Sequence, residues 1–486
     1  MACDLTPQYR PAFHYTPAAN WMNDPNGLVF HQGRYHLFYQ YHPDGPTWGP
    51  MHWGHATSTD LLHWQEHPVA LAPDALGMIF SGSAVVDHDN RSGLGAEGVA
   101  PLVAMFTHHR PADAQAGVAS LEQQSLAVSL DDGRTWVKFE GNPVLPNPGL
   151  KDFRDPKLCW LAARQRWLAV VACGDCMRFY SSPDLKSWAL ESQFTHDLGS
   201  DGVWECGDLF PLHDAAGATW WVLLVSVTLG GPNGGSSTLY FIGDFDGHRF
   251  TPLDTQIRWL DFGPDNYAGV TWSGVDERAL FIGWMSNWLY AASVPTSPWR
   301  SAMTMPRELQ LRMSEDGPRV ASVPARELLS LQGPATLALR EVSLPLPLDL
   351  DAGLRAAVGV FVLRLEIDAL RSFSLSLGSP GGDELLIGYD RDRTAWFIDR
   401  RRAGRVDFHP QFAGCHSAPR LATAPQSDLQ LYVDATSVEL FADDGLTAMT
   451  CLFFPREPFA SMTLSSTDGL KLGALAVHPL GAGRGS

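Results

Sequence analysis

Three short acidic motifs, far apart in the chain, carry the residues best suited to chemistry. They are WMNDPNG at residues 21–27, DFRDPK at residues 152–157 and WECGDLF at residues 204–210. Each motif places a carboxylate among turn-forming and aromatic residues. Glycoside hydrolysis requires a small set of carboxylates gathered in one pocket. Asp24, Asp155 and Glu205 are therefore the candidates, provided that the fold brings them together.

The first two motifs have the composition of rigid turns. Asp24 lies in a run of Asn, Pro and Gly, which by itself predicts a hairpin loop. Trp21 and Met22 make the entry to this turn apolar, which favours a preorganised nucleophile instead. Asp155 also precedes a proline, and Arg154 beside it is expected to lower the pKa of that carboxyl. Taken alone, this second motif equally indicates a structural ion pair.

The third motif has the composition expected around a general acid. Glu205 lies between Trp204 and Cys206, with Asp208 nearby. A carboxyl among apolar neighbours and close to a second acidic group is the arrangement that general acids use. The alternative is a structural Glu that pairs with Lys or Arg at the edge of a sheet. The occurrence of all three motifs in one strand-rich region favours catalysis.

Three other patterns give weaker signals. CGDC at residues 173–176 has redox or zinc spacing, but no second pair accompanies it. The histidines at positions 52, 55, 63 and 67 are irregularly spaced among Trp and Gly, which indicates packing or a polar surface. GGPNGG at residues 230–235 precedes a strand rather than a helix, which argues against a phosphate site. We therefore expect neither a metal nor a cofactor.

The composition narrows the class of partner. The 486 residues carry a formal net charge of -18, which argues against nucleic acid and anionic membranes, because phosphate binding requires a basic face. Charged residues make up only 18% of the chain and there are 17 Trp, a balance that suits sugars, whose C–H faces stack on aromatic rings. We expect a small-molecule sugar as partner, and the oligomeric state stays open.

Two features bear on the location of the protein. The N-terminal segment lacks a basic head followed by an apolar stretch, so it does not have the pattern of a signal peptide. The seven Cys form an odd, scattered set, which fits reduced thiols better than a disulfide framework. The expectation is a cytoplasmic protein, with a secreted form trimmed of its leader as the alternative.

An irregular repeat of about 50 to 70 residues organises the N-terminal part. Its apolar, strand-like runs lie at residues 36–41, 102–108, 167–173, 220–227 and 280–286. Several are followed by a turn and an aromatic residue, at Trp64, Trp136, Trp188 and Phe250. Strand repeats of this size predict the blades of a β-propeller, and five runs predict five blades. An irregular β-sandwich is the alternative.

The pattern of apolar and polar residues changes after the repeat. Short alternating strands separated by Gly, Asp and Pro turns begin near residue 335, which predicts an antiparallel β-sandwich. The fold class is thus all-β, a five-bladed propeller followed by a C-terminal sandwich. The predicted boundaries are 1–311 for the propeller, 312–334 for a linker, 335–482 for the sandwich and 483–486 for a tail.

Taken together, these motifs resemble those of glycoside hydrolase family 32, which includes invertases, exo-inulinases and levanases. Besides the three acidic motifs, FYQYHP, WGPMHWGHATSTDLLHW, FSGSAV, DFGPDNYA, GWMSNW and PRELQL occur in the order found in the family. The resemblance extends over nearly the whole chain. It implies a propeller with an appended sandwich, and a retaining reaction on terminal, non-reducing β-D-fructofuranosyl units.

The resemblance also implies a role for each carboxylate. Asp24 matches the nucleophile, Glu205 the acid and base, and Asp155 the residue that stabilises the transition state. The positions that match the fructose pocket are Asn23, Gln40, Trp48, Phe80, Ser81, Arg154, Tyr267 and Trp288, with Trp284 expected in a blade core. One departure is Gly207, which stands where the family commonly has proline, so we expect a less stiff loop around Glu205.

The leading hypothesis is an exo-acting β-fructofuranosidase that acts on sucrose, fructo-oligosaccharides and the polymers inulin and levan. A fructosyltransferase on the same scaffold is the first alternative, because only the acceptor of the covalent intermediate differs. A non-catalytic sugar-binding propeller predicts the loss of one of the carboxylates, yet all three are present. An inverting arabinan-type glycosidase predicts a wider separation of the two carboxyls.

Overall fold

The computed structural model describes residues 9–112, 120–199, 201–314, 316–344 and 347–481. The predicted tail at residues 483–486 lies outside this range. The described chain is nearly all β-structure, with one short α-helix and two short 3₁₀ helices. None of the helices in the described ranges has the length and apolar character needed to cross a bilayer.

Five antiparallel sheets follow one another along the N-terminal part of the chain. The first two contain β1 (Asn20–His31), β2 (Arg34–His42), β3 (His52–Ser58) and β4 (Gln65–Leu71), then β5 (Met78–Val86), β6 (Leu102–Arg110), β7 (Leu121–Ser129) and β8 (Val137–Lys138). The next two contain β9 (Arg154–Leu161), β10 (Arg166–Ala172), β11 (Cys176–Ser182) and β12 (Ala189–Thr195), then β13 (Trp204–His213), β14 (Thr219–Val227), β15 (Ser237–Phe245), β16 (Phe250–Pro252) and β17 (Arg258–Trp259). The last strands are β18 (Tyr267–Thr271), β19 (Ala279–Met285), β20 (Trp299–Arg300), β21 (Ala302–Met303), β22 (Arg307–Ser314) and β23 (Gly317–Pro324).

These sheets close into a ring. The first strands of the five sheets, β1, β5, β9, β13 and β18, each contact the next, and β18 contacts β1. Strand β20 pairs in parallel with β1, so a late part of the chain also joins the first sheet. The ring confirms the predicted five-bladed propeller.

The five apolar runs identified in the sequence are the second strand of each blade, not the innermost one. These second strands are buried along most of their length, which explains their continuous hydrophobic character. The acidic motifs lie in innermost strands. The sequence did not predict strands there, because these motifs are rich in turn-forming residues.

The turns that end in an aromatic residue repeat one local structure. The indole N–H groups of Trp64, Trp136 and Trp188 each donate to a backbone carbonyl three residues earlier, at 2.9, 3.1 and 2.9 Å. In each case the turn is also held by a Ser hydroxyl that donates to an Asp two residues later. The repeat in the sequence therefore corresponds to a repeated hairpin between the outer strands of three blades.

Two six-stranded sheets make up the C-terminal part. Their elements are β24 (Leu337–Ser343), β25 (Leu348–Asp349), α1 (Asp351–Ala356), β26 (Phe361–Ala369), β27 (Phe373–Gly378), β28 (Glu384–Asp390), β29 (Ala395–Arg402), β30 (Cys415–Pro419), β31 (Ser427–Val433), β32 (Ser437–Ala442), β33 (Thr447–Leu452), β34 (Ser461–Ser466) and β35 (Lys471–Pro479). One large hydrophobic cluster lies between the sheets. This is the predicted β-sandwich.

The join between the two parts differs from the expected linker. Strand β23 pairs with β22 along its length and completes the fifth blade, so the predicted boundary at residue 311 falls within β22. Only the 3₁₀ helix Arg326–Leu331 separates β23 from the sandwich strands. Buried Arg307 of β22 donates to Asp261 at 2.8 Å and is also paired with Glu439 of β32, which binds the sandwich to the propeller.

Candidate active site

A cavity of about 350 Å³ contains the three candidate carboxylates. Its lining residues are Asn23, Asp24, Gln40, Trp48, Phe80, Ser81, His109, Ser120, Glu122, Lys151, Asp152, Arg154, Asp155, Glu205 and Trp288. Every predicted site residue except Tyr267 is in this set. The cavity brings together residues from separate blades that are up to about 265 positions apart, a juxtaposition that only the closed ring produces.

Irregular pairing of the innermost strands aims these side chains into the cavity. The register shifts between Met22 and Pro25 in β1 and between Glu205 and Asp208 in β13. Asp24 therefore lies within a bulged strand rather than on the rigid turn that its neighbours in the sequence predicted. A bulge adds a residue to one strand and redirects its side chain, which is why bulges are common beside active sites.

Asp24 is nearly buried and both of its carboxyl oxygens have partners. The Asn23 amide donates to Oδ1 at 3.1 Å, and the Ser81 hydroxyl donates to Oδ2 at 3.0 Å. Burial and the nearby charge of Glu205 raise the pKa of Asp24 to about 6, although both hydrogen bonds act in the opposite direction. The carboxyl is thus fixed in orientation and ionised only above weakly acidic pH.

Asp155 has a strained backbone and a buried carboxyl. Its φ of 58° is in the left-handed region, which is unfavourable for a non-glycine residue. Its amide N–H donates to the Thr107 hydroxyl at 3.0 Å, and its Oδ2 accepts from the Cys206 N–H at 3.1 Å. Such strain persists only where surrounding contacts hold it.

Arg154 lowers the pKa of Asp155 as expected, but burial outweighs its effect. Burial raises the pKa of Asp155 well above its usual value, and Arg154 only partly opposes this, while Glu205 and Asp24 raise it further. The Arg154 Nε lies 4.0 Å from Asp155 Oδ2, and its closer partners are other carboxylates. The sequence suggested that Arg154 pairs with Asp155, its neighbour in the chain. In the structure the guanidinium of Arg154 is shared among Asp152, Glu122 and Glu205 instead.

Glu205 is held through both of its oxygens. The Arg154 Nη2 donates to Oε1 at 2.9 Å, and the Tyr267 hydroxyl donates to Oε2. Tyr267 is fully buried and contacts Glu205 from behind rather than lining the cavity. Its placement gives it a part in orienting the carboxyl.

Glu122 is a site residue that sequence reasoning missed. Its Oε2 accepts from the Phe153 N–H at 2.7 Å and from Arg154 Nη1 at 3.3 Å, and its Oε1 lies 3.2 Å from His109 Nδ1. Asp152 binds the same Nη1 at 2.7 Å. No local motif marks Glu122. It lies in β7, the third strand of the second blade, whereas the acidic motifs lie in innermost strands.

Aromatic side chains form the wall of the cavity. Trp48 is 45% exposed at the rim and meets Phe80 edge-on, with ring centroids 6.2 Å apart. His109, also missed in the sequence, stacks on Phe80 at 4.1 Å. Trp288 lines the cavity, whereas Trp284 is fully buried in a blade core.

Two amides complete the polar lining. The Trp21 indole donates to Asn23 Oδ1 at 2.7 Å and so fixes the orientation of that side chain. Gln40 also lines the cavity, and its amide nitrogen has no hydrogen-bond partner within the described part of the chain. A sugar has the hydroxyl groups that such a donor requires.

Gly207 is packed rather than loose. A Cβ at this position would lie 2.6 Å from Met177 Sδ, so Met177 occupies the space that a side chain would take. The neighbouring Cys206 thiol lies 3.7 Å from both Asp24 Oδ2 and Asp155 Oδ2. Both residues lie within β13 rather than in a loop, and these contacts oppose the loss of stiffness that was expected from the glycine.

The arrangement is suited to acid–base and nucleophilic chemistry on one sugar unit. Two oriented carboxyls, Asp24 and Glu205, face the same small cavity. No group of three or more His, Cys, Asp or Glu side chains in the described ranges is arranged to hold a metal ion.

Two family profiles match this chain, and both belong to the same family. The profile of the glycosyl hydrolases family 32 N-terminal domain matches residues 14–324, and that of the family 32 C-terminal domain matches residues 340–479. These two matches cover most of the chain.

Characterised relatives and solved structures agree with the profiles. The chain is 43% identical to a levanase of Bacillus subtilis, over 97% of this chain and 70% of the levanase. It is 39% identical to an extracellular exo-inulinase of Aspergillus niger, over 95% of this chain and 92% of that protein. The structure of an exo-inulinase from Aspergillus awamori superposes with a TM-score of 0.90 at 35% identity, covering 98% and 99% of the two chains. A β-fructofuranosidase from Schwanniomyces occidentalis, complexed with fructosyl-erythritol, gives 0.88 at 30% identity and 99% coverage of each chain.

Proposed function

The chain belongs to glycosyl hydrolase family 32, and we propose that it is an exo-acting, retaining β-fructofuranosidase. Its substrates are the terminal, non-reducing β-D-fructofuranosyl units of sucrose and fructo-oligosaccharides, with inulin and levan as polymeric substrates. The observation that carries the proposal is that Asp24 and Glu205 face one small cavity, each oriented by hydrogen bonds to both oxygens.

In the first step, a carboxylate oxygen of Asp24 attacks the anomeric C2 of the bound fructosyl unit. Glu205 gives its proton to the glycosidic oxygen, the C2–O bond breaks and the alcohol leaves. The product is a fructosyl ester of Asp24. The hydrogen bonds from Asn23 and Ser81 hold the nucleophile in place, so little orientational freedom is lost at the moment of reaction.

In the second step, water takes the position of the departed alcohol. Glu205, now ionised, removes a proton from this water while the oxygen attacks C2, and the bond from C2 to Asp24 breaks. Two inversions at C2 release fructose with its original configuration. Arg154 and Tyr267 keep the Glu205 carboxyl oriented through both half-reactions.

Asp155 supports the positive charge that develops on the sugar ring. It accepts hydrogen bonds from the fructosyl hydroxyls, and the guanidinium of Arg154 nearby favours the ionised form of its carboxyl. Gln40 contributes an unpartnered donor, and Trp48 and Phe80 contact the apolar face of the sugar. Such interactions accelerate the reaction when they strengthen in the transition state.

Product analysis with sucrose, inulin, levan and a p-nitrophenyl arabinoside tests this function. Wild type is expected to release fructose from the fructosides alone. Glu205→Gln should lower kcat/KM by about 10³-fold or more, and Asp24→Asn at least as much. The exposed Asp276→Asn on a blade loop is the matched control and should keep wild-type activity.

The leaving group separates the two roles. A fructoside with a p-nitrophenolate leaving group needs little protonation, so Glu205→Gln should lose less activity on it than on sucrose. Asp24→Asn should lose equally on both. Kestose-type products at high sucrose would move the protein to the fructosyltransferases, and cleavage of the arabinoside alone would contradict the proposed substrate.

A further inference from the structure

The CGDC sequence forms a dithiol beside the general acid. Cys173 follows β10 and Cys176 opens β11, and the two residues flank the two-residue turn Gly174–Asp175. The Cys173 N–H donates to the Cys176 carbonyl at 2.8 Å, so the two cysteines are directly opposite each other in the hairpin. Both thiols are free in this structure.

The hairpin brings the two sulfur atoms within reach of one bond. Directly opposed residues in hydrogen-bonded positions have Cα atoms about 5.5 Å apart. Disulfides join residues whose Cα atoms are about 4.4–6.8 Å apart. The Cys176 thiol donates to the Cys173 carbonyl at 3.5 Å, so its side chain is turned toward the opposite cysteine.

The turn contacts the catalytic machinery on two sides. The Gly174 carbonyl accepts from the Trp204 N–H at 2.7 Å, and Trp204 directly precedes Glu205. On the other side, a Cβ atom at Gly174 would lie 3.8 Å from Asp152 Oδ2. Asp152 in turn accepts a hydrogen bond from Arg154. A change in the turn is therefore transmitted to Glu205 through the strand and through the arginine that orients it.

We propose that Cys173 and Cys176 are a reversible oxidation site, and that their disulfide displaces the turn and lowers activity by misplacing Glu205. The effect on activity rests on the function proposed above, whereas the formation of the disulfide does not. Forming the S–S bond brings the sulfurs to about 2.05 Å, so both thiols must leave the backbone carbonyls to which they donate here.

The chemistry balances with a low-molecular-weight disulfide as the oxidant. The Cys176 thiolate attacks one sulfur of the oxidant, whose S–S bond breaks and releases one thiolate. Cys173 then loses its proton to that thiolate and attacks the Cys176 sulfur, expelling the second thiolate, which takes the proton first released by Cys176. The two cysteines lose two electrons, and the oxidant becomes two thiols.

Local charges suit this order of events. The neighbouring Cys173 thiol and the guanidinium of Arg178 lower the pKa of the Cys176 thiol to about 7, so much of it is thiolate at neutral pH. The neighbouring Cys176 thiol and burial raise the pKa of Cys173, which makes it the second thiol to react. Both thiols are buried, so the oxidant reaches them when the turn, whose Asp175 is exposed, opens locally.

The experiment compares reduced and oxidised protein. The full chain is incubated with excess oxidised glutathione. The mass of the proteolytic peptide that contains residues 173–176 is measured by mass spectrometry, and kcat/KM is measured on sucrose. We expect that peptide to lose about 2 Da, the mass of the two hydrogens removed. We expect kcat/KM to fall about 10-fold or more, because small misplacements of a catalytic group are costly. Dithiothreitol should restore both values.

Variants assign the effect to this pair. Cys173→Ser and Cys176→Ser should be active when reduced and insensitive to the oxidant, while Cys415→Ser, which removes an exposed thiol of the sandwich, should respond like wild type. Loss of activity that persists in both turn variants would overturn the proposal and point to another cysteine.

Two further outcomes test the oxidation site and its link to activity. A Cys173–Cys176 peptide that keeps its mass while Cys415 becomes glutathionylated would overturn the oxidation site itself. A disulfide that forms without changing kcat/KM would overturn its link to Glu205. Absence of fructosidase activity in the reduced protein would instead contradict the proposed function, and the mass measurement would still test the site.

Discussion

At the scale of single residues, Asp24 balances burial against hydrogen bonding. Its surroundings raise its pKa to about 6, and the hydrogen bonds from Asn23 and Ser81 limit that rise. The nucleophile must be ionised, so the fraction of competent enzyme increases as pH rises through this value. Asp155 interacts electrostatically with Asp24, so the observed pKa value belongs to this pair of acids.

We expect kcat/KM of the wild type to show an acidic limb with an apparent pKa near 6. Ser81→Ala removes a hydrogen bond that favours the ionised form, so the limb should move to higher pH. A shift of about one pKa unit, the size for a hydrogen bond of about 1.5 kcal/mol to a charged group, would put activity at pH 5.5 about 30-fold below its own alkaline plateau, against about fourfold for the wild type. The pH profile of kcat/KM on sucrose measures both.

Ser83→Ala is the matched control for this change. Ser83 lies on the same strand, β5, and is buried, but its hydroxyl donates to the Pro156 carbonyl instead of Asp24. Its acidic limb should stay near that of the wild type. An unshifted limb in Ser81→Ala would contradict the role given to this hydroxyl.

At the scale of elements, one blade supports the catalytic residues of the next. Strands β6 and β7 of the second blade hold the backbone that leads into β9. The Gln124 amide donates to the Phe153 carbonyl at 2.7 Å, Glu122 accepts from the Phe153 N–H, and Thr107 accepts from the Asp155 N–H. The strained conformation of Asp155 is thus imposed by a neighbouring sheet.

Glu122→Gln should lower kcat/KM on sucrose by about 10- to 100-fold, mainly through kcat. Glutamine still accepts from the Phe153 N–H, but it no longer offers a charge to Arg154, so that guanidinium is free to shift away from Glu205. The exposed Glu140→Gln in the same blade is the control, because it makes the same change of charge without contacting the site. Equal kinetics of the two variants would show that Glu122 has no positioning role.

At the scale of the whole molecule, buried charges join the sandwich to the propeller. The His14 Nδ1 lies 2.8 Å from Asp434, and its Nε2 lies 2.9 Å from Glu439. Glu439 also binds Arg307 of the fifth blade. Burial alone would disfavour protonated His14, but the two carboxylates outweigh it and raise its pKa to about 9.

This histidine makes the stability of the protein depend on pH. Below about 6.5, His14 is protonated in both the folded and unfolded states, and its contribution is fully present. As pH rises through about 9, the folded protein also loses this proton and the contribution disappears. Stability from this source therefore decreases across the alkaline range.

His14→Gln should lower the free energy of unfolding at pH 7 by about 3–5 kcal/mol, since it leaves buried Asp434 without its positive partner and Glu439 with Arg307 alone. It should also flatten the decline of stability between about pH 6.5 and 9. Denaturant unfolding at several pH values measures both. His248→Gln, whose histidine is half-exposed beside Glu191, is the control and should change stability by about 1 kcal/mol or less. A similar alkaline slope in His14→Gln and wild type would contradict the assignment.

The sequence specified the carboxylates and the architecture because both leave local marks. Continuous apolar runs predicted the second strand of each blade, and the spacing of those runs predicted five blades. The motifs around Asp24, Asp155 and Glu205 each place a carboxylate among turn-forming and aromatic residues, a composition that is visible in the sequence alone. By contrast, Asp24 was placed on a turn, because bulged strands use the same Asn, Pro and Gly residues as turns.

What the sequence by itself determined is therefore the set of chemical groups, the number of blades and the appended sandwich. What only the tertiary structure decided is how those groups act on one another. Glu122 and His109 enter the site from another blade, Tyr267 lies behind Glu205, and the charge of Arg154 is shared among several acids. The physical reason is that burial and Coulomb interactions depend on distance in space, and ring closure brings together residues that sequence separation gives no means to pair.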